Sequence, residues 1–154
     1  MNVRLLHVVC DDKRNLMNIK NTLFKHCQKF VENRIETIQK TISSNQKALQ
    51  SETKSSAGDK HETGRAMLQL EMEKAGLQLQ SIQKMQVTLS KINIENTSTN
   101  AHLGSLVETN NAIYFLSISA GEINVENKKY YAISVSSPIG KLLLGKKKND
   151  ELIF

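Results

Sequence analysis

Two carboxylates near the middle of the chain have the spacing of residues that can act together. Asp59 and Glu62 stand three positions apart in the segment Gly58-Asp-Lys-His-Glu62, so on a helix they lie on one face, one turn apart. Such a pair can share a hard divalent cation such as Mg²⁺, whose ligands are carboxylate oxygens and retained waters. The same spacing is also typical of a helix N-terminus, where side chains satisfy unpaired backbone N–H groups. Spacing alone favours this capping role. A cap should lie next to the first apolar residue of its helix, however, and the first seam residue, Leu68, comes six positions after Glu62, a gap that slightly weakens the capping interpretation.

Other catalytic chemistry has little support in the chain. It contains no Ser/His/Asp constellation, HExxH motif, phosphate-binding loop or GxGxxG fingerprint. The four histidines, His7, His26, His61 and His102, lack the spacing of metal ligands. We therefore expect solvated or structural histidines and a protein that is not an enzyme by itself.

Composition and charge narrow the class of protein. Among 154 residues only 5% are aromatic and none is tryptophan, which is too little to build a large enclosed catalytic core. No apolar run approaches the roughly 20 residues of a membrane span, and residues 5–10 are too short for a signal-peptide core. Neither Cys10 nor Cys27 belongs to a CxxC or Cys/His cluster, so we expect reduced thiols in a cytoplasmic protein, with Cys27 buried on an apolar stripe.

The net charge of +6 is unevenly distributed. Residues 1–95 hold fifteen Lys/Arg and ten Asp/Glu, a net +5, whereas residues 96–154 hold six and five, a net +1. This excess permits an acidic partner. It does not indicate direct nucleic-acid readout, because acids interrupt the basic residues and aromatic residues are scarce.

The elements that must position the acidic pair are two long helices. The first has a 4-3 apolar repeat at Val31, Ile35, Ile38, Ile42, Asn45 and Leu49, and the second repeats it at Leu68, Met72, Ala75, Leu79, Ile82, Gln86 and Leu89. This spacing is that of a coiled-coil seam. It predicts an antiparallel coiled-coil hairpin over residues 17–95 with a tip near residues 51–64. Since the two seams cover each other, we expect a monomer; an intermolecular coiled coil is the alternative.

The chain changes character near residues 93–100, where β-branched and aromatic runs replace the helical pattern. We predict strands over residues 105–109, 112–119, 129–135 and 150–154, and a short helix from Pro138 through Leu144. The pairs Gly121-Glu122 and Glu126-Asn127 are turn signals. The fold class is therefore α+β, with a small β-rich domain over residues 96–154.

A segment of this second domain carries a specific resemblance. The run Ile133-Ser-Val-Ser-Ser-Pro-Ile-Gly-Lys-Leu-Leu-Leu-Gly-Lys146 is similar in order and spacing to the ISxxSPIxxxLxGK signature of the bacterial GreA/GreB transcript-cleavage factors. The segment Gly58-Asp-x-x-Glu62 also resembles the GDxxE tip of that family. With the two long helices and the small β domain, the resemblance covers residues 17–154 in architecture.

The resemblance implies a transcription elongation factor whose C-terminal domain is FKBP-like. Its coiled coil would enter the secondary channel of RNA polymerase, where Asp59 and Glu62 assist the polymerase active site and share Mg²⁺ with it only within that complex. The polymerase then hydrolyses the backtracked RNA 3′ end. The implied polymerase-binding residues are Ser134, Ser137, Pro138, Ile139, Leu143 and Lys146. RNA and DNA are partners only indirectly, through the elongation complex, and no membrane is involved.

The chain departs from the family pattern at the tip and at both ends. The family usually continues Asn-Ala-Glu-Tyr after the tip glutamate, where this chain has Thr63-Gly64-Arg65-Ala66. An arginine in place of an acid favours an alternative, a secondary-channel regulator that inhibits the polymerase without promoting cleavage. A peptidyl-prolyl isomerase or chaperone is a third hypothesis, but the domain has few aromatic residues to line the pocket of such a protein.

The two ends of the chain also differ from the family pattern. Members of the GreA/GreB family usually carry another strand beyond Phe154, and residues 17–20 resemble a family start. We therefore expect a truncated C-terminal domain and an extension, residues 1–16, outside the fold.

Overall fold

The structure is a computed structural model of the chain. It describes the backbone of residues 2–8, 13–52 and 59–153, and the side chains of residues 14–51 and 62–151. The elements in chain order are β1 (Asn2–Val8), α1 (Lys13–Glu52), α2 (Asp59–Ser90), β2 (Leu106–Thr109), β3 (Ile113–Ser117), β4 (Gly121–Val125), β5 (Lys128–Ser134), α3 (Pro138–Leu143) and β6 (Glu151–Ile153). The predicted α+β class is confirmed.

The chain divides into two compact units. The helix unit is Val31–Met85, and the sheet unit combines Met1–Phe30 with Gln86–Phe154. The sequence-based boundary near residue 95 therefore does not match this division. Helices α1 and α2 each contribute to both units, since the division falls after residue 30 in α1 and after residue 85 in α2.

The helices extend further than the sequence predicted. Helix α1 begins at Lys13 rather than near residue 17, and α2 begins at Asp59. Of the predicted tip loop, residues 51–52 and 59–64 are helical, and residues 53–58 lie outside the described residues. The polar composition of this segment indicated a loop, but it contains no proline. A single glycine, Gly64, costs only about 1 kcal/mol in a helix interior, which the packed seam that follows can offset.

The helix unit buries part of the predicted seam, and the other seam residues of this unit are half-buried. Ile38 and Asn45 of α1 are buried, as are Ala75 and Ile82 of α2. The Asn45 side-chain amide donates a hydrogen bond of 3.3 Å to a Glu71 carboxylate oxygen, and Ile38 and Ile82 line a common cavity of about 440 Å³. Residue numbers thus rise along α1 as they fall along α2, so the two helices run antiparallel through this unit.

The sheet unit contains a six-stranded sheet in the order β4-β5-β3-β2-β1-β6. Strands β3 and β5 are parallel, and every other neighbouring pair is antiparallel. Strand β1 lies between β2 and β6, with Leu5 opposite Thr109 and Asn2 opposite Ile153. The expectation that residues 1–16 lie outside the fold is therefore wrong. These pairings join residues far apart in the chain, which no local pattern reveals.

Four of the six described strands lie where the sequence placed them, and β1 and β4 were missed. Gly121 and Glu122 begin β4 rather than forming a turn, and Gly121 uses a φ of 83° that favours glycine. The turn predicted at Glu126-Asn127 is confirmed. Both of its residues have positive φ, 50° and 62°, as a two-residue hairpin between β4 and β5 requires.

The first turns of α1 cover one face of the sheet. Leu23 and Cys27 are fully buried there, and the Cys27 sulfur lies 3.6 Å from the Ser117 hydroxyl oxygen. Burial raises the pKa of the Cys27 thiol, and the Ser117 hydrogen bond only partly opposes that shift. The prediction that Cys27 is a buried structural residue is confirmed.

Helix α3 covers the other face. Leu143 packs there with Ala101, Val107 and Leu116 in one apolar cluster.

None of the helices that the structure describes is both long enough and apolar enough to cross a membrane.

Candidate functional site

The acidic pair lies in the first turn of α2. Asp59 is the first residue of that helix, and Glu62, three positions later, is exposed. The first backbone N–H groups of a helix have no partner within it and form the positive end of its dipole, which favours carboxylates. The predicted position of the pair at a helix start is confirmed. The Asp59 side chain lies outside the described side chains, so its capping contacts stay a prediction.

The residues that follow the pair are exposed as well. Arg65 and Ala66 are both exposed. Arg65 lies one helical turn beyond Glu62, so the two side chains are neighbours on the same face of α2. No group of three metal-ligating side chains comes together among residues 14–51 and 62–151. Two carboxylates supply only part of the octahedral shell of Mg²⁺, so other ligands would have to come from a partner.

The C-terminal motif builds the start of α3. Ser137 is the N-cap, and its side-chain oxygen accepts a hydrogen bond of 3.1 Å from the Gly140 N–H. The same hydroxyl donates to the Ser134 carbonyl oxygen at 2.6 Å, which ties the helix start to the end of β5. Pro138 follows at the first helical position, where its missing N–H leaves no hydrogen bond unmade.

Gly140 lets α3 approach β5 closely. A Cβ atom at this position would stand 2.0 Å from the Ser134 carbonyl oxygen and 2.9 Å from the Ser137 hydroxyl oxygen. Real Cβ atoms do not come so close to backbone oxygens, so only glycine fits without a shift of the helix. Ser134, Ser137 and Gly140 therefore form a lock that holds α3 against the sheet.

Most apolar residues of the motif belong to the core. Leu143 is 0% exposed, so its predicted role as a polymerase contact is wrong for this structure. Ile139 and Leu142 are half-buried against the same cluster. Lys146 is held through its backbone, with its N–H donating to the Leu143 carbonyl and its own carbonyl accepting from Ala101.

The surface that the motif leaves open is small and partly basic. Pro138 and Lys141 are exposed, and Leu144 is 46% exposed. Lys146 is half-buried. The sequence did not single out Lys141 or Leu144, although the run of three leucines at 142–144 was a signal, because a six-residue helix cannot turn all three towards one core.

A pair of a half-buried histidine and a buried serine braces the loop next to the motif. The His102 Nδ1 atom lies 2.8 Å from the Ser105 hydroxyl oxygen, and the same oxygen accepts from the His102 backbone N–H. Ser105 is only 1% exposed, so a substrate cannot reach it. The pair supports the loop that hydrogen-bonds Lys146 and is not a nucleophilic site.

An exposed polar cluster lies on β4 and β5. Glu122 accepts hydrogen bonds from the Tyr131 hydroxyl at 3.2 Å and the Asn124 amide at 3.4 Å, and it pairs with the Lys129 ammonium at 3.1 Å. The Lys129 hydrogen bond is the main cause that lowers the pKa of Glu122. The same contact raises the pKa of Lys129.

Comparison with known proteins adds no relative: no protein-family model, curated protein or solved structure matches the chain.

Proposed function

We propose that this chain is a transcription elongation factor of the GreA/GreB type, which binds RNA polymerase through its secondary channel and stimulates cleavage of backtracked RNA. The chain acts as a single copy in the cytoplasm. The polymerase active site performs the hydrolysis, and the chain supplies carboxylates to it.

The observation that carries the proposal is the acidic pair in the first turn of a long helix. Helix α2 starts at Asp59 and continues for 32 residues, and α1 runs antiparallel to it through the helix unit. This arrangement supports a coiled-coil hairpin whose end carries Asp59 and Glu62. Within the polymerase complex these two carboxylates would hold Mg²⁺ together with polymerase groups, and the metal would supply an activated water.

The sheet unit supports a docking role. In this proposal it is the FKBP-like domain of the family. The lock of Ser134, Ser137 and Gly140 fixes α3, so that Pro138 would meet the polymerase from a rigid helix start and Lys146 from the segment that follows the helix. Ser134 and Ser137 then contribute to binding by holding the surface in place, and Ile139 supports it from the core.

The experiment uses a stalled, backtracked polymerase complex and scores RNA 3′ cleavage. Asp59→Asn and Glu62→Gln keep the size of each side chain and remove its charge. Both variants should bind polymerase normally and lose stimulated cleavage, and raised Mg²⁺ should restore part of it, because a hard cation loses much of its attraction when the charge is removed. Glu32→Gln, an exposed acid on α1, is the matched control and should cleave like the parent. If both tip variants stimulate cleavage as well as the parent does, Asp59 and Glu62 serve only as a helix cap.

A second function, inhibition without cleavage, is favoured by the exposed Arg65. Its guanidinium lies one turn from Glu62 and can neutralise that carboxylate or repel a cation. If the parent chain never stimulates cleavage but competes with a known channel-binding factor, the inhibitor is the correct function. Arg65→Glu should then gain cleavage activity.

A further inference from the structure

Helix α2 carries a second apolar stripe that faces solvent. Met67, Leu70 and Leu77 are 61%, 51% and 68% exposed. With Lys74, which is also exposed, they recur at intervals of 3, 4 and 3 residues, the spacing of a coiled-coil seam. We call these four residues the outer stripe. They lie on the side of α2 opposite the buried seam that contacts α1.

The outer stripe removes the reason for expecting a strict monomer. That expectation held because the two seams cover each other, but the outer stripe is uncovered within the residues that the structure describes. Its 3-4-3 spacing suits another helix, since a seam of this period presents knobs for the holes of a facing helix. The patch therefore indicates a helical partner rather than a flat surface.

We propose that the outer stripe binds the outer stripe of a second copy, antiparallel, about a two-fold axis near residue 72. Under this symmetry Met67 of each copy faces the second copy's Leu77, and Leu70 faces the alkyl chain of the second copy's Lys74. All three apolar residues are then covered by one self-complementary contact, as a two-fold interface requires.

Charge selects the antiparallel orientation. Glu71 and Glu73 flank the outer stripe on its two sides, close to the proposed axis, so the Lys74 ammonium of each copy meets carboxylates of the other. In a parallel pair, Lys74 would face Lys74, and two like charges in a seam repel. The lysine thus acts as a polar seam residue that fixes register and orientation while weakening the contact.

The contact is weak because it is small. A standard stable interface buries roughly 800 Å² on each partner, more than three partly exposed side chains can supply. We expect a monomer at micromolar concentration and a growing dimer fraction towards millimolar concentration. This inference does not rest on the proposed function, since it is measured on the chain alone, without polymerase.

Sedimentation equilibrium over that concentration range tests the proposal. The mass should rise from 17.3 kDa towards twice that value. Leu77→Lys should hold it at the monomer mass, whereas Val87→Lys, a matched change at an exposed apolar residue of α2 outside the outer stripe, should dimerise like the parent. Lys74→Leu completes the apolar stripe and should tighten association about tenfold or more.

Disulfide formation tests the orientation. In a Cys10→Ser background, Met67→Cys and Leu77→Cys proteins should form a mixed disulfide when combined and little disulfide when each is alone. Disulfides within each single variant would indicate a parallel pair and overturn the antiparallel proposal. A constant monomer mass up to millimolar concentration, or equal behaviour of Leu77→Lys and Val87→Lys, would overturn self-association.

Discussion

The substitution Gly140→Ala should destabilise the sheet unit, although alanine has a higher helix propensity than glycine. Alanine in a helix interior is better than glycine by about 0.5–1 kcal/mol. Against this, the new Cβ would stand 2.0 Å from the Ser134 carbonyl oxygen, well inside ordinary contact distance, so α3 must move away from β5 by more than an ångström.

The size of the effect follows from what that movement disrupts. Forced overpacking costs about 1–3 kcal/mol, and displacement of α3 also strains the Ser137 cap, whose loss costs about 1 kcal/mol. After the propensity gain, Gly140→Ala should lower the unfolding free energy by about 1–3 kcal/mol. For a unit of about 100 residues, that corresponds to a drop in melting temperature of roughly 5–20 °C.

Gly76→Ala is the matched control. Gly76 lies within α2, and a Cβ there meets nothing within 4 Å, so the same exchange should stabilise the helix unit by about 0.5–1 kcal/mol. Thermal unfolding separates the two units, because all three tyrosines, Tyr114, Tyr130 and Tyr131, belong to the sheet unit. Tyrosine fluorescence reports that unit, and circular dichroism reports mainly the long helices. A Gly140→Ala protein as stable as the parent by tyrosine fluorescence would refute the close approach of α3 to Ser134.

Three further outcomes are expected. Asn45→Leu should raise the unfolding free energy by about 1–3 kcal/mol in urea titrations, because a buried polar seam residue lowers stability; a loss of stability would mean that the Asn45 hydrogen bond outweighs apolar burial. In a Cys10→Ser protein, Cys27 should react with iodoacetamide only after unfolding, since burial raises its pKa and blocks access; rapid labelling of the native protein would contradict this. The pKa of Glu122, measured by NMR, should be lower than that of ordinary glutamates and should rise towards their value in Lys129→Met. Because the folded pKa is lowered, the small contribution of Glu122 to stability is present above the unfolded pKa and is lost as the pH falls through the folded pKa.

The sequence predicted those features that a local pattern determines. The 4-3 repeat identified Ile38, Asn45 and Ile82 as seam residues because burial on a helix follows a short period. The pair Glu126-Asn127 marked a hairpin, and Pro138 marked the start of α3, because each residue type restricts the local backbone. The spacing of Asp59 and Glu62 indicated a helix start, although the polar composition of residues 51–64 indicated a loop.

The remaining features depend on contacts between distant residues. Strand β1 forms by pairing with β2 and β6, and its own residues do not specify those partners. The pair Gly121-Glu122 was interpreted as a turn signal, yet Gly121 pairs with Ala132 and lies in β4. The need for glycine at position 140 likewise cannot be predicted from the sequence, because it arises from the Ser134 carbonyl oxygen at the end of β5.

The position of β1 between β2 and β6 has a consequence for the order in which the chain folds on the ribosome. Residues 2–8 emerge well before their partners on β2 and β6, with both long helices made in between. The backbone groups of β1 therefore have no sheet partner until β2 has emerged, and the contact with β6 has to wait longer still. Because closure of such a distant contact is slow compared with local helix formation, we expect α1 and α2 to form before the β1–β6 pair.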